Sequence, residues 1–322
     1  MNKAHASDNV IETHGLTRYF GPRCIVDMLD LTVPRGSIFG FLGRNGAGKS
    51  TTIRMLLGLL PPTRGSSSVL GLDSLALTPE ARARIGYLAE GHHVYGWMSA
   101  AECGRFQSAF YPRWNDKIFQ SVLAHFGLKP SAKAGDLSRG ERAGLCLALT
   151  LAPQPELLIL DDPALGLDPV ARRSLLQSMI YLTRNADQTV FFSSHLLSDV
   201  ERVADRIAVL DGSTLRADCS LETFRSRVRQ FVLSFPGPPP PLPPLPGLLQ
   251  VFRAGNEVTV TLAAANDGET ERRLATLGAE RIDPVPLGLE DAFVSYLSER
   301  GEKTYFLQDT EILQDTELED AK

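Results

Sequence analysis

A glycine-rich segment near residue 45 constrains this chain more than any other stretch. Residues 43–51 read Gly-Arg-Asn-Gly-Ala-Gly-Lys-Ser-Thr and match the pattern G-x-x-x-x-G-K-[ST] without a mismatch. The apolar run 38–42 predicts a buried strand before it, and the run 52–60 predicts a helix after it that ends at Pro61. A strand, a glycine loop and a helix in this order predict a polyphosphate site, because small residues let backbone N–H groups surround the phosphates at a helix N-terminus.

The same loop supplies side chains for nucleotide and metal binding. Lys49 is expected to reach the β- and γ-phosphates, and the Ser50 hydroxyl is expected to bind Mg²⁺. The alternative is a glycine-rich turn that binds nothing, but it gives no structural reason for a lysine followed by a hydroxyl. The residues expected to contact the nucleotide here are Gly43, Asn45, Gly46, Ala47, Gly48, Lys49, Ser50 and Thr51.

Composition narrows the class of protein. The 322 residues are enough for one large domain and a smaller one, with 43% hydrophobic and 22% charged residues, as in ordinary globular proteins. The net charge of −5 does not favour a nucleic-acid partner. We expect no membrane span, because no apolar run of about 18 residues occurs. We also expect no secretion, and we interpret the four scattered cysteines as reduced, buried thiols.

Two carboxylates follow a second strongly apolar run. Residues 157–160 predict a parallel strand buried on both faces, and Asp161 and Asp162 follow at its C-terminal end. Open α/β sheets bind ligands at that end, and paired acids there are costly unless they share a cation or a proton. Asp161 therefore suits Mg²⁺, and Asp162 suits the role of general base. Asp168 follows in a turn, where a turn-forming role is the structural alternative.

Three further sites each have a structural and a functional interpretation. Ser138 and Glu141 form a predicted capping box that is sufficient by itself, although Arg139 and Gly140 could also favour an outside anion. Phe20 could stack on an adenine ring or be a half-buried core aromatic. His195 ends the predicted strand 189–194, where we favour a phosphate-sensing role over a structural one.

The remaining sequence suggests a helical insert and a second domain. We predict a nucleotide-binding domain over residues 1–225, with a helical subdomain at about 91–152. Residues 226–300 predict a small α+β domain whose proline-rich segment, 236–246, is expected to be an extended spacer or loop. Residues 301–322 contain two copies of an acidic six-residue repeat and predict a disordered tail.

With these residues in order, the chain resembles the ATP-binding subunit of an ABC transporter, from about residue 10 to residue 215. Residues 43–51 match the Walker A loop and residues 157–162 match Walker B, while residues 137–141 fall at the signature sequence. The single-residue matches are Phe20 at the adenine-stacking aromatic, Glu90 at the Q-loop, Asp168 at the D-loop and His195 at the switch histidine.

The resemblance implies a fold, an activity and partners. The fold would be α/β, a P-loop NTPase (ABC ATPase) domain, and the activity would be Mg²⁺-dependent ATP hydrolysis. Two ATP-binding subunits, in a homodimer or a heterodimer, would close head to tail, so that Ser138, Arg139 and Gly140 bind the γ-phosphate held by the other subunit. Asp168 would lie near the same nucleotide. Separate transmembrane permease subunits, in a bacterial export-type system, would hold the chain at the cytoplasmic face of the membrane.

Three departures from the family pattern bear on the chemistry. Arg139 replaces the usual Gly, and Glu90 replaces the usual Gln, so that a carboxylate takes the position near the lytic water and Mg²⁺. Asp162 replaces the usual catalytic Glu and is one methylene shorter, which predicts slow ATP hydrolysis. Two other readings stay open: a soluble ABC-type ATPase that acts on ribosomes or DNA, and a regulatory protein that closes on ATP and barely hydrolyses it.

Overall fold

The computed structural model describes residues 8–186, 188–263, 267–297 and 307–308. These residues form two compact units. The first comprises Met1–Arg206 and Gly212–Thr214, and the second comprises Ile207–Asp211 and Leu215–Lys322. The first unit contains every residue that the sequence nominates for nucleotide chemistry.

The strands and helices of both units are numbered in chain order. The strands are β1 (Asn9–Phe20), β2 (Arg23–Pro34), β3 (Ile38–Gly43), β4 (Arg64–Val69), β5 (Leu72–Asp73), β6 (Ile85–Leu88), β7 (Leu157–Leu160), β8 (Thr189–Ser194), β9 (Arg206–Asp211), β10 (Thr214–Ser220), β11 (Arg229–Ser234), β12 (Leu248–Ala254), β13 (Glu257–Leu262), β14 (Arg281–Val285) and β15 (Leu307–Gln308). The helices are α1 (Lys49–Leu56), α2 (Pro79–Arg82), α3 (Ala100–Ser108), α4 (Asp116–His125), α5 (Arg139–Leu151), α6 (Pro169–Ala186), α7 (Leu197–Val203), α8 (Leu221–Arg227), α9 (Asp267–Ala275) and α10 (Leu289–Tyr296).

Parallel strands of the first unit lie side by side in the order β3-β8-β7-β6. All four residues of β7 and all six of β3 are buried, which confirms the prediction of strands covered on both faces. Because the strands are parallel, their C-terminal ends meet at one edge. This edge therefore collects the segments that follow β3, β7 and β8.

An antiparallel sheet, in the order β2-β1-β4-β5, is the second sheet of this unit. Its longest pairing joins β1 to β2, from Asn9 opposite Pro34 to Phe20 opposite Arg23. Phe20 thus occupies the end of β1, beside the turn that leads into β2. The predicted adenine-stacking aromatic is therefore at the rim of a sheet.

The helical insert has its own hydrophobic core. Side chains from α3, α4 and α5 share one buried cluster that includes Cys103, Phe119 and Leu145. The helix starts are capped by side chains: Ser99 caps α3 in a capping box, and the Asn115 side chain accepts hydrogen bonds from two backbone N–H groups of α4. These caps satisfy donors that a helix cannot pair internally.

The second unit contains an antiparallel sheet in the order β12-β13-β11-β14. Residues 257–262, in which polar and apolar side chains alternate, form β13. Its core is made of Phe231, Leu233, Phe235, Leu245, Val258, Val260, Leu262 and Leu274. The proline-rich segment 236–246 contains no helix or strand, and it runs between β11 and β12. Leu245 fixes the end of this segment in the core.

The second unit begins earlier than the domain boundary predicted at residue 225. Tyr296 in α10 donates a hydrogen bond from its hydroxyl to the Arg216 carbonyl at 2.5 Å. Its ring packs edge-on against Phe224, with the centroids 5.4 Å apart. These contacts join β10 and α8 to the C-terminal helix, which sequence patterns about 80 residues apart do not reveal.

The predicted tail has one described segment. Leu307 and Gln308 form a short strand parallel to β10, opposite Ala217 and Asp218, and Leu307 is buried. The prediction of disorder is therefore wrong for these two residues, because the apolar side chain of the first repeat is buried. The remainder of residues 301–322 lies outside the described residues. In the part of the chain that the structure describes, no helix combines the length and apolar character needed to cross a bilayer.

Candidate nucleotide-binding site

The glycine-rich loop connects β3 to α1 at the edge of the sheet where the C-terminal ends of the parallel strands meet. Gly46 and Gly48 have φ angles of 81° and 112°, in the left-handed region that favours glycine. Gly48 is the N-cap of α1, and no side chain caps this helix. The first backbone N–H groups of α1 are thus not satisfied by a capping side chain, which suits an anionic ligand.

Lys49 folds back over this loop. Its Nζ donates hydrogen bonds to the carbonyl oxygens of Gly43, at 2.7 Å, and Arg44, at 3.2 Å, and the residue is only 7% exposed. Burial lowers the pKa of Lys49, whereas the charges of Asp162, Asp161 and, least of the three, Glu90 raise it. An anionic phosphate would compensate the desolvated ammonium group, so this arrangement fits a polyphosphate ligand.

The carboxylate of Asp161 meets the loop hydroxyl that the sequence nominates for metal binding. Its Oδ1 accepts hydrogen bonds from the Ser50 hydroxyl at 3.1 Å and the Ser193 hydroxyl at 2.8 Å, and Asp161 is 2% exposed. A hydroxyl and a carboxylate oxygen held together are ligands that Mg²⁺ prefers. Ser50 and Asp161 therefore fit this ion.

Asp162 pairs with the predicted switch histidine. The Asp162 Oδ2 and His195 Nδ1 atoms lie 2.6 Å apart, and Asp162 is 8% exposed. The backbone of Asp162 has a φ of 44°, a left-handed conformation that aspartate adopts more readily than most residues. The turn after β7 thus directs the carboxylate toward the end of β8, where His195 stands.

Ser193 was not among the residues nominated from sequence. Its hydroxyl donates to Asp161 Oδ1 and also accepts a hydrogen bond from the backbone N–H of Asp162, in both cases at 2.8 Å. One buried hydroxyl thereby holds both acidic residues. Ser193 and Ser194 are adjacent in the sequence, and the register of the strand decides which of them contacts the acidic residues. The Ser194 hydroxyl instead forms hydrogen bonds with the backbone of Leu196.

Glu90 and Phe20 lie at more exposed positions. Glu90 follows β6 and is exposed. Burial is the main reason that the pKa of Tyr87 is raised, and the charges of Asp161 and, last, Glu90 add to this increase, whereas Arg54 opposes it. Phe20 is 48% exposed, and the Arg18 guanidinium lies 4.6 Å from its ring centroid. An exposed aromatic face beside a cation is suited to stacking on another ring.

The signature residues form a second cluster at the start of α5. Ser138 and Glu141 form the predicted capping box: the Glu141 N–H donates to the Ser138 hydroxyl, and the Ser138 N–H donates to the Glu141 carboxylate. Gly140 is buried here, and a Cβ atom added to it would lie 2.9 Å from the Ala171 Cβ. Glycine therefore permits the close approach of α5 and α6.

Asp168 belongs to this second cluster and not to the one around Lys49. Its Oδ1 accepts hydrogen bonds from the Val170 and Ala171 N–H groups and caps α6, so the turn-forming role is confirmed. Arg139 is exposed, and its guanidinium lies 3.3 Å from the Cβ position of Gly166. The nominated residues thus form two groups, one around Lys49 and Asp162 and one around Gly140 and Asp168.

Comparison with known proteins defines the class. A sequence profile described as "ABC transporter" matches residues 26–165. Bacitracin transport ATP-binding protein BcrA from Bacillus licheniformis is 35% identical over 225 residues, which cover 69% of this chain and 74% of that protein. Nod factor export ATP-binding protein I from Neorhizobium galegae is 32% identical over 304 residues, 91% of this chain and 86% of that protein.

A solved structure agrees with these sequence matches. The structure described as an ATP-binding subunit of an ABC transporter has a TM-score of 0.61 and 26% identity, and the match covers 67% of this chain and 92% of that one. The fold is thus the α/β fold of the P-loop ATPases. The chain belongs to the ABC transporter family, among its ATP-binding subunits.

Proposed function

We propose that this chain hydrolyses ATP with Asp162 as general base and drives a transporter whose membrane part is a separate subunit. The observation that carries the proposal is the Asp162–His195 pair at 2.6 Å, at the strand edge that also holds Lys49. A buried acid, a buried cation and a glycine loop at one edge suit phosphoryl transfer better than a purely structural role.

ATP binding would use the loop and the exposed aromatic. Lys49 would exchange the carbonyl oxygens of the loop for the β- and γ-phosphates, and Phe20 would stack on adenine. The backbone N–H groups and small side chains of the loop would surround the phosphates; these are Gly43, Asn45, Gly46, Ala47, Gly48, Ser50 and Thr51.

Mg²⁺ would be held by Ser50 and Asp161, with Glu90 as the third proposed metal residue, beside the lytic water. When bound, this ion neutralises charge that develops on the phosphate oxygens. Because Ser193 already orients Asp161, the carboxylate would need little rearrangement to accept the ion.

Hydrolysis would begin with proton transfer from water to Asp162. The His195 ring occupies Oδ2 of the carboxylate, which leaves Oδ1 to accept the proton while the water oxygen attacks the γ-phosphorus. The bond between this phosphorus and the bridging oxygen would break, and that oxygen would leave with ADP. His195 would also be placed to contact the phosphate. The short aspartate side chain predicts slow turnover, because a displacement of about 1 Å can cost on the order of a hundredfold in rate.

The second cluster would complete the site of another subunit. Ser138, Arg139 and Gly140 would bind the γ-phosphate held by a partner ATP-binding subunit, and Asp168 would lie near the same interface. Binding of ATP would then close a homodimer or a heterodimer, and hydrolysis would permit it to open. Both halves of such a site are present in this chain, which supports a homodimer.

The relatives support a proposal about the direction of transport and the location. The names of the two relatives refer to bacitracin transport and Nod factor export, which favours an exporter. Separate transmembrane permease subunits would bind this chain at the cytoplasmic face of the membrane. We propose no nucleic-acid partner.

The test is steady-state ATP hydrolysis by the purified chain, with and without Mg²⁺, beside Lys49→Ala and Asp162→Asn. The exposed residues Lys117 and Asp116, changed to Ala and Asn, provide matched controls. We expect both site variants to lose hydrolysis while the controls keep it. Equal rates for the wild type and Asp162→Asn would make the base assignment wrong. Binding of ATP without turnover would favour the regulatory reading.

A further inference from the structure

We propose that Arg172 and Asp199 form a positioning pair, which couples the cluster around Gly140 and Asp168 to the switch histidine, His195. The inference rests on the proposed hydrolysis and adds two residues to it. Neither residue touches the glycine loop, so the pair would act on the reaction through the segments that it joins.

Asp199 is buried, Arg172 is half-buried, and the pair has directional contacts. Arg172 Nε donates a hydrogen bond to Asp199 Oδ1, and Arg172 Nη2 donates to the Ser198 hydroxyl at 3.0 Å. Asp199 is only 3% exposed, and its Oδ2 has no hydrogen-bond partner among the described residues. A carboxylate buried in this way depends on the guanidinium for compensation, because an uncompensated buried charge is strongly destabilising.

The pair connects the first turns of α6 and α7. Arg172 is in the first turn of α6, which begins directly after Asp168, and Asp199 is in the first turn of α7, which begins two residues after His195. The contact therefore ties the segment that carries Asp168 to the segment that carries His195. A shift of α6 along its axis would move Asp199 and, through the short connection, the histidine.

The same turn of α6 touches the signature helix. Ala171, the neighbour of Arg172, lies against Gly140, where an added Cβ would approach to 2.9 Å. A continuous set of contacts thus runs from Gly140 to Ala171, then through Arg172 and Asp199 to the segment of His195, which pairs with Asp162 at 2.6 Å. Events at the start of α5 have a direct physical route to the proposed base.

The charges around Asp199 are consistent with this set of contacts. Burial is the main reason that the pKa of Asp199 is raised, Arg172 opposes it, and the charge of Asp162 adds to the increase. The two acids therefore lie close enough to influence each other. A change in the Arg172–Asp199 contact would alter both the position and the electrostatic surroundings of the Asp162–His195 pair.

Arg173 provides a matched control. It is adjacent on the same helix and exposed, so Arg173→Ala removes an equal charge without breaking the pair. The variants to compare with it are Arg172→Ala, Arg172→Lys and the exchanged pair Arg172→Asp with Asp199→Arg. Melting temperature and the affinity for a fluorescent ATP analogue are measured for each, beside kcat and KM for ATP hydrolysis.

We expect Arg172→Ala to lower kcat about 10- to 100-fold, with KM and analogue affinity within about twofold of wild type. The kcat of Arg172→Lys should lie between those of wild type and Arg172→Ala, because lysine cannot make both directed contacts. The exchanged pair should recover part of kcat. Arg173→Ala should match wild type.

The proposal is overturned if Arg172→Ala and Arg173→Ala have the same kcat while wild type hydrolyses ATP. It is also overturned if kcat falls only in parallel with melting temperature and analogue affinity, and neither Arg172→Lys nor the exchanged pair restores it, since that pattern describes a purely structural ion pair. Failure of the proposed function has a different signature, in which wild type itself does not hydrolyse ATP.

Discussion

Ser193→Ala should destabilise the first unit far more than its small change in volume implies. The Ser193 hydroxyl is fully buried and makes two hydrogen bonds of 2.8 Å, one to Asp161 Oδ1 and one from the Asp162 N–H. Alanine would leave that N–H buried without its partner and would remove one donor from a carboxylate. Asp161 would keep the Ser50 hydroxyl at 3.1 Å.

The expected magnitude follows from these two losses. A buried donor without a partner costs about 1–3 kcal/mol, and a hydrogen bond to a charged group contributes about 1.5–3 kcal/mol. Because effects of neighbouring groups are not additive, we expect a total loss of about 2–4 kcal/mol. For a unit of this size, in which 1 kcal/mol shifts the melting temperature by about 2–4 °C, that loss corresponds to a melting temperature lower by about 4–16 °C.

Thermal unfolding followed by far-ultraviolet circular dichroism measures this loss. Ser108→Ala is the matched control, because the Ser108 hydroxyl makes one exposed hydrogen bond, to the Arg105 carbonyl, within α3. We expect the control to change stability by no more than about 0.5 kcal/mol. If Ser193→Ala melts at the same temperature as Ser108→Ala, the reasoning about the acidic residues is refuted.

Three further predictions concern packing, pH and thiol chemistry. Gly144→Ala should lower the free energy of unfolding by about 1–3 kcal/mol, because the added Cβ would lie 2.4 Å from the Phe126 ring. An unchanged melting temperature would contradict this. Hydrogen bonds from its N-cap serine lower the pKa of Glu102 to about 2 from 4.5, so its stabilising effect is complete above the unfolded-state pKa and is lost as pH falls toward 2. Glu102→Gln should reduce the difference between melting temperatures at pH 3 and pH 7. Burial raises the pKa of Cys146 to about 12, so a thiol reagent at pH 8 should label half-buried Cys24 first, and early labelling of Cys146, identified by mass spectrometry, would count against this.

The motifs that lie within a few residues of one another could be predicted from sequence. The glycine loop, the buried strand before Asp161 and the capping box at Ser138 each depend on local spacing, and each appears as expected. The meeting of Ser50 with Asp161 was also predictable, because parallel strands bring the loops at their C-terminal ends together.

Contacts that depend on packing between distant elements could not be predicted. Ser193 carries no motif, and only the register of β8 beside β7 selects it over Ser194. The Arg172–Asp199 pair joins residues 27 positions apart on helices whose neighbouring first turns are known only from the fold.

The extent of the second unit depends on packing for a similar reason. The predicted boundary at residue 225 lies after the last predicted strand of the nucleotide-binding domain and before the proline-rich segment, 236–246. The contact between Tyr296 and Arg216 shows that packing divides the chain earlier. Amino-acid composition reports where the chain is stiff or polar, whereas a unit is defined by the side chains that share a core.

The most direct test of the central claim is single-turnover hydrolysis of bound ATP by wild type and Asp162→Asn, at matched occupancy of the site. Occupancy is fixed beforehand by measuring ATP affinity for both proteins. The account predicts that both bind ATP and that Asp162→Asn hydrolyses it about 100-fold more slowly or worse, the lower end of the effect expected on removal of a general base. Equal single-turnover rates would contradict the assignment of Asp162 as the base.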